Sequence, residues 1–501
     1  MAEFGFVGPA YEAANSSQDN QRLINWYVET DNNGQAPGSV GAYPKVATAL
    51  LGVPGLVALS TSFSGSSRGI WPLPGNTQCL IVMGSRLILA TILTPATASS
   101  NAVLSFTDVG GLATYVGPVK IRDNGMGGIA ALVDGPNLYI YNIAAQTLTK
   151  STDAAFLGSS TVVELDGIFV FHQPLTQKFY SSPLYWNGIT AMDATYYALK
   201  DNYSDNVVAL FENARQLWVI GESTIEPWYN AGNPTFAFSR LSGGMMQIGC
   251  GAPQSIARTG PDIVMLARSE RGENSIIMIK GYQYQTISNY AISYALTQYT
   301  VVSDAIGYIY AEEGHMFYVL IFPTGDATWV YDFSTDVWHQ RASFDPVTGL
   351  FHRQRINNIA NFANMRIGGD FSNGRIYQQT RKAFADDQYP LVALRRAPHV
   401  WDKNDRNRVN HARLQVDLTP GSGLATGQGL APQAMLRWSN DQGRTFGNEH
   451  WAPIGAQGNS LTRVMWRRLG SSRDRVYEMR ISDPVKRDVA GASLRLEVTG
   501  Q

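Results

Sequence analysis

At 501 residues the chain exceeds the size at which a single hydrophobic core keeps growing, so two or three domains are expected. A net charge of −1 with 16% charged residues excludes a generally basic nucleic-acid binder and a disordered acidic chain alike. The cysteines, Cys79 and Cys250, lie far apart and form no CxxC pair, which argues against a disulfide framework or a thiolate metal site and leaves two buried thiols.

The first residues, MAEFGFVGPAYEAAN, lack the basic and apolar regions of a signal peptide, and no run of about 18 apolar residues follows. Synthesis and assembly in a cytosol are therefore expected. Forty-eight Gly, 24 Tyr and 11 Trp favour many short strands joined by tight turns, an all-β composition. Residues 1–60 read as an N-terminal arm with a docking strand: NSSQDNQ and TDNNGQAPGSVG are turn-rich, and only QRLINWYVE alternates as a strand does.

From about 66 to 380, within a propeller domain assigned to 61–385, a loose repeat sets in, a Gly- or Asn-marked turn leading into a short aliphatic and aromatic strand. Its cores are SRLILA, NLYIY, GIFVF, QLWVI, NSIIMIK, HMFYVL and GRIYQ. Their markers are Leu87, Leu138, Ile168, Leu217, Ile276, Phe317 and Ile376, at steps of 51, 30, 49, 59, 41 and 59 residues. A four-stranded propeller blade uses about 40 to 50 residues. The spacing predicts an irregular β-propeller of about five to seven blades, with a pair of β-sandwiches as the rival. Each sheet has two apolar faces, and only radial packing against neighbours covers both.

A composition shift near 381 opens the last block, assigned to 386–501. Residues 391–501 hold 17 Lys and Arg against 10 Asp and Glu, or +7, leaving 22 against 30, or −8, for the rest. HARLQVDL, QAMLRWSN, YEMRISD and SLRLEVT alternate apolar with polar residues. A basic C-terminal β-sandwich is predicted, a platform behind the propeller.

No catalytic, cofactor-binding or metal-binding residue stands out. Ser439, Asp441, Gly443 and Phe446 fit the Asp-box pattern SxDxGxT(W/F), which is physically a hairpin turn: Asp441 accepts backbone N–H bonds, Gly443 permits positive φ and Phe446 anchors the next strand. Glu312 and Glu313, or Asp201 and Asp205, resemble glycosidase carboxylate pairs, but strand neighbours point to opposite faces and loop acids are usually solvated. His399, Asp402, Asp405 and His411 match no HExxH or EF-hand spacing, and neither GxSxG nor GxxxxGK[ST] occurs. Trp466, Arg467, Arg468, Arg473 and Arg475 form a basic, aromatic strip. It suits acids on a partner protein or, less well, phosphates.

Three regions carry a family resemblance. INWYVE with LLGVPGLVAL and SRGIW is similar to the opening of the tail-hub, or nozzle, proteins of short-tailed phages, also called packaged-DNA stabilisation proteins. GESTIEPWYN resembles a strand of that family, which implies a blade position for Ile225 to Tyr229. VMWRRLGSSRDRVYEMRISDPV resembles its closing W-(K/R)-R-x-G-x-x-R pattern, matched by Trp466, Arg467, Arg468, Gly470 and Arg473. The full Asp box departs from the family, which shortens it.

The resemblance implies a structural virion protein of the tail, not an enzyme and without cofactor, assembled in the bacterial host cytoplasm. It implies a homo-oligomer in a six-fold ring beneath the head-to-tail adaptor. Tailspikes, tail fibres or a tail needle would attach, double-stranded DNA would pass without sequence-specific binding, and the host surface would be met at ejection. The alternative is a tail-associated glycan-binding or sialidase-like propeller.

Overall fold

Alternation is what organises this chain: in a strand, successive side chains point to opposite faces, so an all-apolar strand feeds two cores at once. In the strand Arg86–Thr94, Leu87 and Leu89 pack one way, with Leu132 and Tyr139, while Ile88 and Ala90 pack the other way, with Phe362 and Ile367. The same division repeats around a ring. The computed structural model describes residues 2–31, 46–97, 100–402 and 407–498, so part of the turn-rich TDNNGQAPGSVG lies outside the described residues.

Seven antiparallel sheets follow in chain order, spanning 67–111, 120–150, 162–199, 207–240, 249–286, 306–340 and 356–380. They are taken here as blades 1 to 7. Each marker strand of the repeat lies in a different blade. The uneven spacing has a simple origin: Ile168, Leu217 and Phe317 sit in the second strand of their blades, whereas Leu87, Leu138 and Ile376 sit in the third. Two-residue turns with positive φ close several inner hairpins. Asp166-Gly167 (52° and 81°) and Glu313-Gly314 (49° and 86°) are examples, a geometry whose twist matches that of the strands.

Among the described residues the buried apolar side chains fall into seven clusters, and each spans the contact between two neighbouring blades. Cys79 and Cys250 are among them, both free and buried, and burial pushes the Cys250 thiol up to about 12. Blade 7 is completed from the far end of the sequence. Gly55–Ala58 pairs with Ile376–Thr380, Ala58 opposite Tyr377 and Gly55 opposite Thr380. The strand after the Pro54-Gly55 turn thus completes the last blade, and a Cβ on Gly55 would strike the Ala385 carbonyl. Inner strands of six blades, all but blade 3, wall a central channel of about 590 Å3, blade 5 contributing Ala257–Thr259.

The sandwich draws on both ends of the chain. One sheet runs Trp26–Asp31, Val46–Gly52, Val489–Val498, Val409–Leu418 and Val464–Arg467. The other runs Asn20–Ile24, Ala393–Arg396, Asp474–Ile481, Gln433–Ser439 and His450–Pro453, and it is continuous with blade 6 because Ile24 pairs in parallel with Gln340. Asn25 turns the chain from one sheet to the other at φ 57°. Its side-chain amide donates to the carbonyls of Ala342 (2.8 Å) and Val392 (2.7 Å) and its carbonyl accepts from Ala342 N (3.0 Å), so three segments meet on one residue.

The cluster between blades 5 and 6 therefore does not stop at the propeller. Val264, Leu266, Tyr318, Trp329 and Trp338 share it with Leu23, Trp26, Leu414, Trp466, Met479 and Leu494 of the sandwich. A nine-residue helix, Tyr290–Gln298, which the strand-rich composition did not suggest, seals one side with Ile292 and Leu296 and is capped by Asn289 (3.0 Å to Ile292 N). Trp26 is fully buried and donates to the Arg487 carbonyl at 2.8 Å. Trp26→Ala is expected to cost about 3–5 kcal/mol, the range for truncating a buried aromatic. In urea unfolding followed by tryptophan fluorescence and far-UV circular dichroism, the loss should appear in one transition. Separate propeller and sandwich transitions would contradict the shared core.

Candidate functional site

The Asp-box turn forms the centre of a polar junction. Ser439 Oγ donates to Asp441 Oδ1 (2.5 Å) and accepts from Gly443 N (2.8 Å); Asp441 accepts from Thr445 N (2.9 Å) and Thr445 Oγ1 (2.6 Å). The hydroxyls of Ser439 and then Thr445 hold the Asp441 carboxyl well below the usual carboxylate range. Gly443 has φ 84°, and a Cβ there would strike the Asn20 side chain. The Arg396 and Arg437 guanidinium groups each lie 4.8 Å from the centre of the Phe446 ring.

Those guanidinium groups converge on Glu478, which is buried. Arg396 Nε donates to its Oε2 at 2.9 Å and Arg437 Nε to its Oε1 at 2.7 Å, while Arg396 also reaches Asn20 Oδ1 at 2.6 Å. Burial alone would raise the Glu478 carboxyl; the Arg396 and Arg437 charges outweigh it and hold the group below its ordinary value. The motif that looks chemical in the sequence thus ties the N-terminal segment to three sandwich strands. Glu478 was not singled out in the sequence, because its partners come from 396 and 437 and no local spacing brings them together.

The basic strip divides in two. Trp466 is buried, donating to the His450 carbonyl at 2.8 Å, and Arg475 is buried too, donating to Asn440 Oδ1 (2.9 Å) and the Leu469 carbonyl (2.6 Å) above the Trp438 ring. Neither side chain presents itself to a partner. Arg467, Arg468 and Arg473 are exposed. Arg467 lies opposite Arg413, itself opposite Arg495, so three guanidinium groups form a row across three strands of one sheet. Like charges directly opposite are unfavourable unless acids approach from outside or nearby. Arg495 has such an acid in Glu497 at 3.1 Å.

The remaining sequence candidates are dispersed. Glu312 pairs with Arg366 (2.5 Å), Glu313 with Arg381, Asp201 with Arg240 (3.2 Å) and Asp205 with Lys200, so neither carboxylate pair faces a common substrate position. His399 bonds Asp474 Oδ1 and the Ser16 carbonyl, both at 2.8 Å, whereas His411 bonds Ser472 Oγ (2.9 Å) and the Tyr477 hydroxyl (2.8 Å). Asp402 accepts from Asn407 at 3.3 Å, and Asp405 lies outside the described residues. Among the described residues no group of three or more His, Cys, Asp or Glu could hold a metal ion.

Because the folded Glu478 carboxyl titrates below the unfolded one, its stabilisation is complete above the unfolded glutamate value of about 4.3. It is lost as pH falls through the lower folded value. Glu478→Gln should cost about 3–5 kcal/mol at neutral pH by leaving two arginines without their buried anion. Chemical denaturation at a series of pH values should also show a shallower acid limb for the variant. Unchanged stability and an unchanged acid limb would refute this role.

Comparison with known proteins follows the same two-part division. Residues 43–383 match the family model described as the β-propeller of bacteriophage P22 Gp10, and residues 395–497 match that of its β-sandwich. Among solved structures, the WD40 domain of Pan2 from Neurospora crassa aligns over 68% of this chain and 98% of its own, with a TM-score of 0.39 and 6% identity. No curated protein matches. The propeller model alone covers more than half of the sequence, and the chain belongs to the bacteriophage P22 Gp10 family of phage stabilisation proteins.

Proposed function

We propose that this protein is the tail hub, or nozzle, of a short-tailed phage, docking beneath the head-to-tail adaptor as a six-fold ring and helping to retain packaged DNA. The observation that carries the proposal is the pair of family matches in register with the propeller and the sandwich. The physical reading supports a load-transmitting part. One apolar core joins the two domains, and the charged groups first considered for catalysis are engaged in ion pairs and turns.

Charge assigns the faces in this proposal. The sandwich region is the basic one, 17 against 10 over 391–501, and Arg467, Arg468 and Arg473 are its exposed part of the family's closing pattern. These three make the contact with acids of the adaptor or a neighbouring subunit. Trp466 and Arg475 act from within, holding the strand and turn that display them. Residues 53–390, the propeller part, carry 20 cations against 25 acids, so six propellers would put an excess of negative charge around the exit path and discourage phosphate adhesion as DNA slides. Tailspikes, fibres or a tail needle would attach to this outer assembly, which meets the host surface at ejection.

The triple substitution of Arg467, Arg468 and Arg473 to Glu is expected to abolish incorporation of added protein into tail-less particles, measured by co-sedimentation, while thermal stability stays within about 1 kcal/mol of wild type, as for exposed sites. Incorporation at the wild-type level would overturn the docking assignment.

A further inference from the structure

The central channel has a chemistry that neither the ring nor the docking face uses. It is about 590 Å3, within the ~300–1,000 Å3 typical of small-molecule sites. Its lining includes four cations, Arg68, Lys120, Arg122 and Arg258, against one acid, Glu212, a balance of +3 inside the acidic part of the chain. Two of the cations have occupations. Arg68 donates to the carbonyls of Gly84, Thr114, Val116 and Gly117, and Arg258 pairs with Glu212 at 3.2 Å.

Lys120 and Arg122 remain. They sit two residues apart on the first strand of blade 2, hence on the same side of it. Arg122 lies 4.2 Å over the Trp71 ring and donates to the Ile121 carbonyl. Glu212, then Asp123 and Glu164, lend it distant attraction, but each is already engaged: Glu212 with Arg258 at 3.2 Å, Asp123 with Trp71 Nε1 at 2.7 Å and Glu164 with Gly167 N at 2.7 Å. Lys120 makes no ion pair or side-chain hydrogen bond within the described residues. Burial, and then the Arg122 charge, push its ammonium down to about 8. Two cations side by side in a half-buried wall are costly, and an anion between them lowers the cost. The side-chain amides of Gln254 and Asn361 line the same channel and make no hydrogen bond to a protein group among the described residues, which leaves them for hydroxyls.

We propose that the propeller channel binds a small, sugar-sized ligand bearing a carboxylate or phosphate, the anion held by Lys120 and Arg122 and the hydroxyls by Gln254 and Asn361. Trp71 positions Arg122 through its ring face and is a positioning residue. The site is independent of docking, since its residues are far in sequence and fold from the exposed arginines of the sandwich.

Calorimetric titration of the full chain with glucuronate, glucose 6-phosphate, inorganic phosphate and glucose tests this. At least one sugar anion should bind saturably and glucose should not; the tighter of the two identifies carboxylate or phosphate as the recognised group. Lys120→Gln and Arg122→Gln should each weaken binding about tenfold or more, as loss of a charge-assisted hydrogen bond does. Glu212→Gln, which frees Arg258, should tighten binding, a gain that misfolding cannot imitate. No saturable binding of either sugar anion, equal binding by the Lys120 and Arg122 variants, or phosphate binding as tightly as glucose 6-phosphate would overturn the proposal.

Discussion

The parallel pairing of Ile24 with Gln340 is a small contact, but it makes one sheet out of blade 6 and half of the sandwich. Everything around it is arranged to keep that seam closed. Asn25 binds the chain on both sides of it, Trp26 fills the core beneath it, and His315 joins Asp332 of blade 6 (2.7 Å) to Glu29 of the sandwich (3.1 Å). The helix Tyr290–Gln298 covers the same core from another side. A propeller has seven such interfaces, and in this chain one of them has been extended into a second domain. The consequence is that force or docking energy applied to the sandwich passes into the ring through packed side chains and a continuous ladder, without a flexible linker between them.

How much of this was legible in the sequence follows from how local each signal is. Blade strands are local: four or five apolar residues after a turn announce themselves, and all seven markers, from Leu87 to Ile376, fall in separate blades. The strand Gly55–Ala58 is not local, since its partner lies more than 300 residues away, and nothing in LLGVPGLVAL states that it closes the last blade. The same holds for Asn20–Ile24 and Trp26–Asp31, whose alternation was visible but whose sheets are built from C-terminal strands. The helix was missed because NYAISYALTQ has few strong helix formers and takes its stability from the core it covers.

Within the basic strip the pattern was half readable. Alternation through Val464–Arg467 puts Val464 and Trp466 inside and Arg467 outside, so Trp466, expected at a partner surface, lies in the core. Arg475 breaks the rule of exposed arginines because Asn440 and the Leu469 carbonyl, from two other segments, accept from it beside Tyr477 of its own strand. Glu478 and the channel pair Lys120 and Arg122 were invisible for the same reason: their meaning comes from groups brought near by closure of the fold. The local bonds of the Asp box follow from its own spacing, but the approach of Phe446 to two arginines that share Glu478 depends on the tertiary structure.

The proposed hub role calls for a stiff and oriented part, and two features support it: a core shared by both domains and a charge difference between the two parts. The most direct measurement is electron microscopy combined with a DNA-retention assay on particles assembled without this protein and then supplied with the purified chain. The account predicts heads that reach the adaptor stage, lack the terminal ring and leak DNA, with ring and retention both restored by the added chain. Complete tails that hold their DNA in its absence would contradict it.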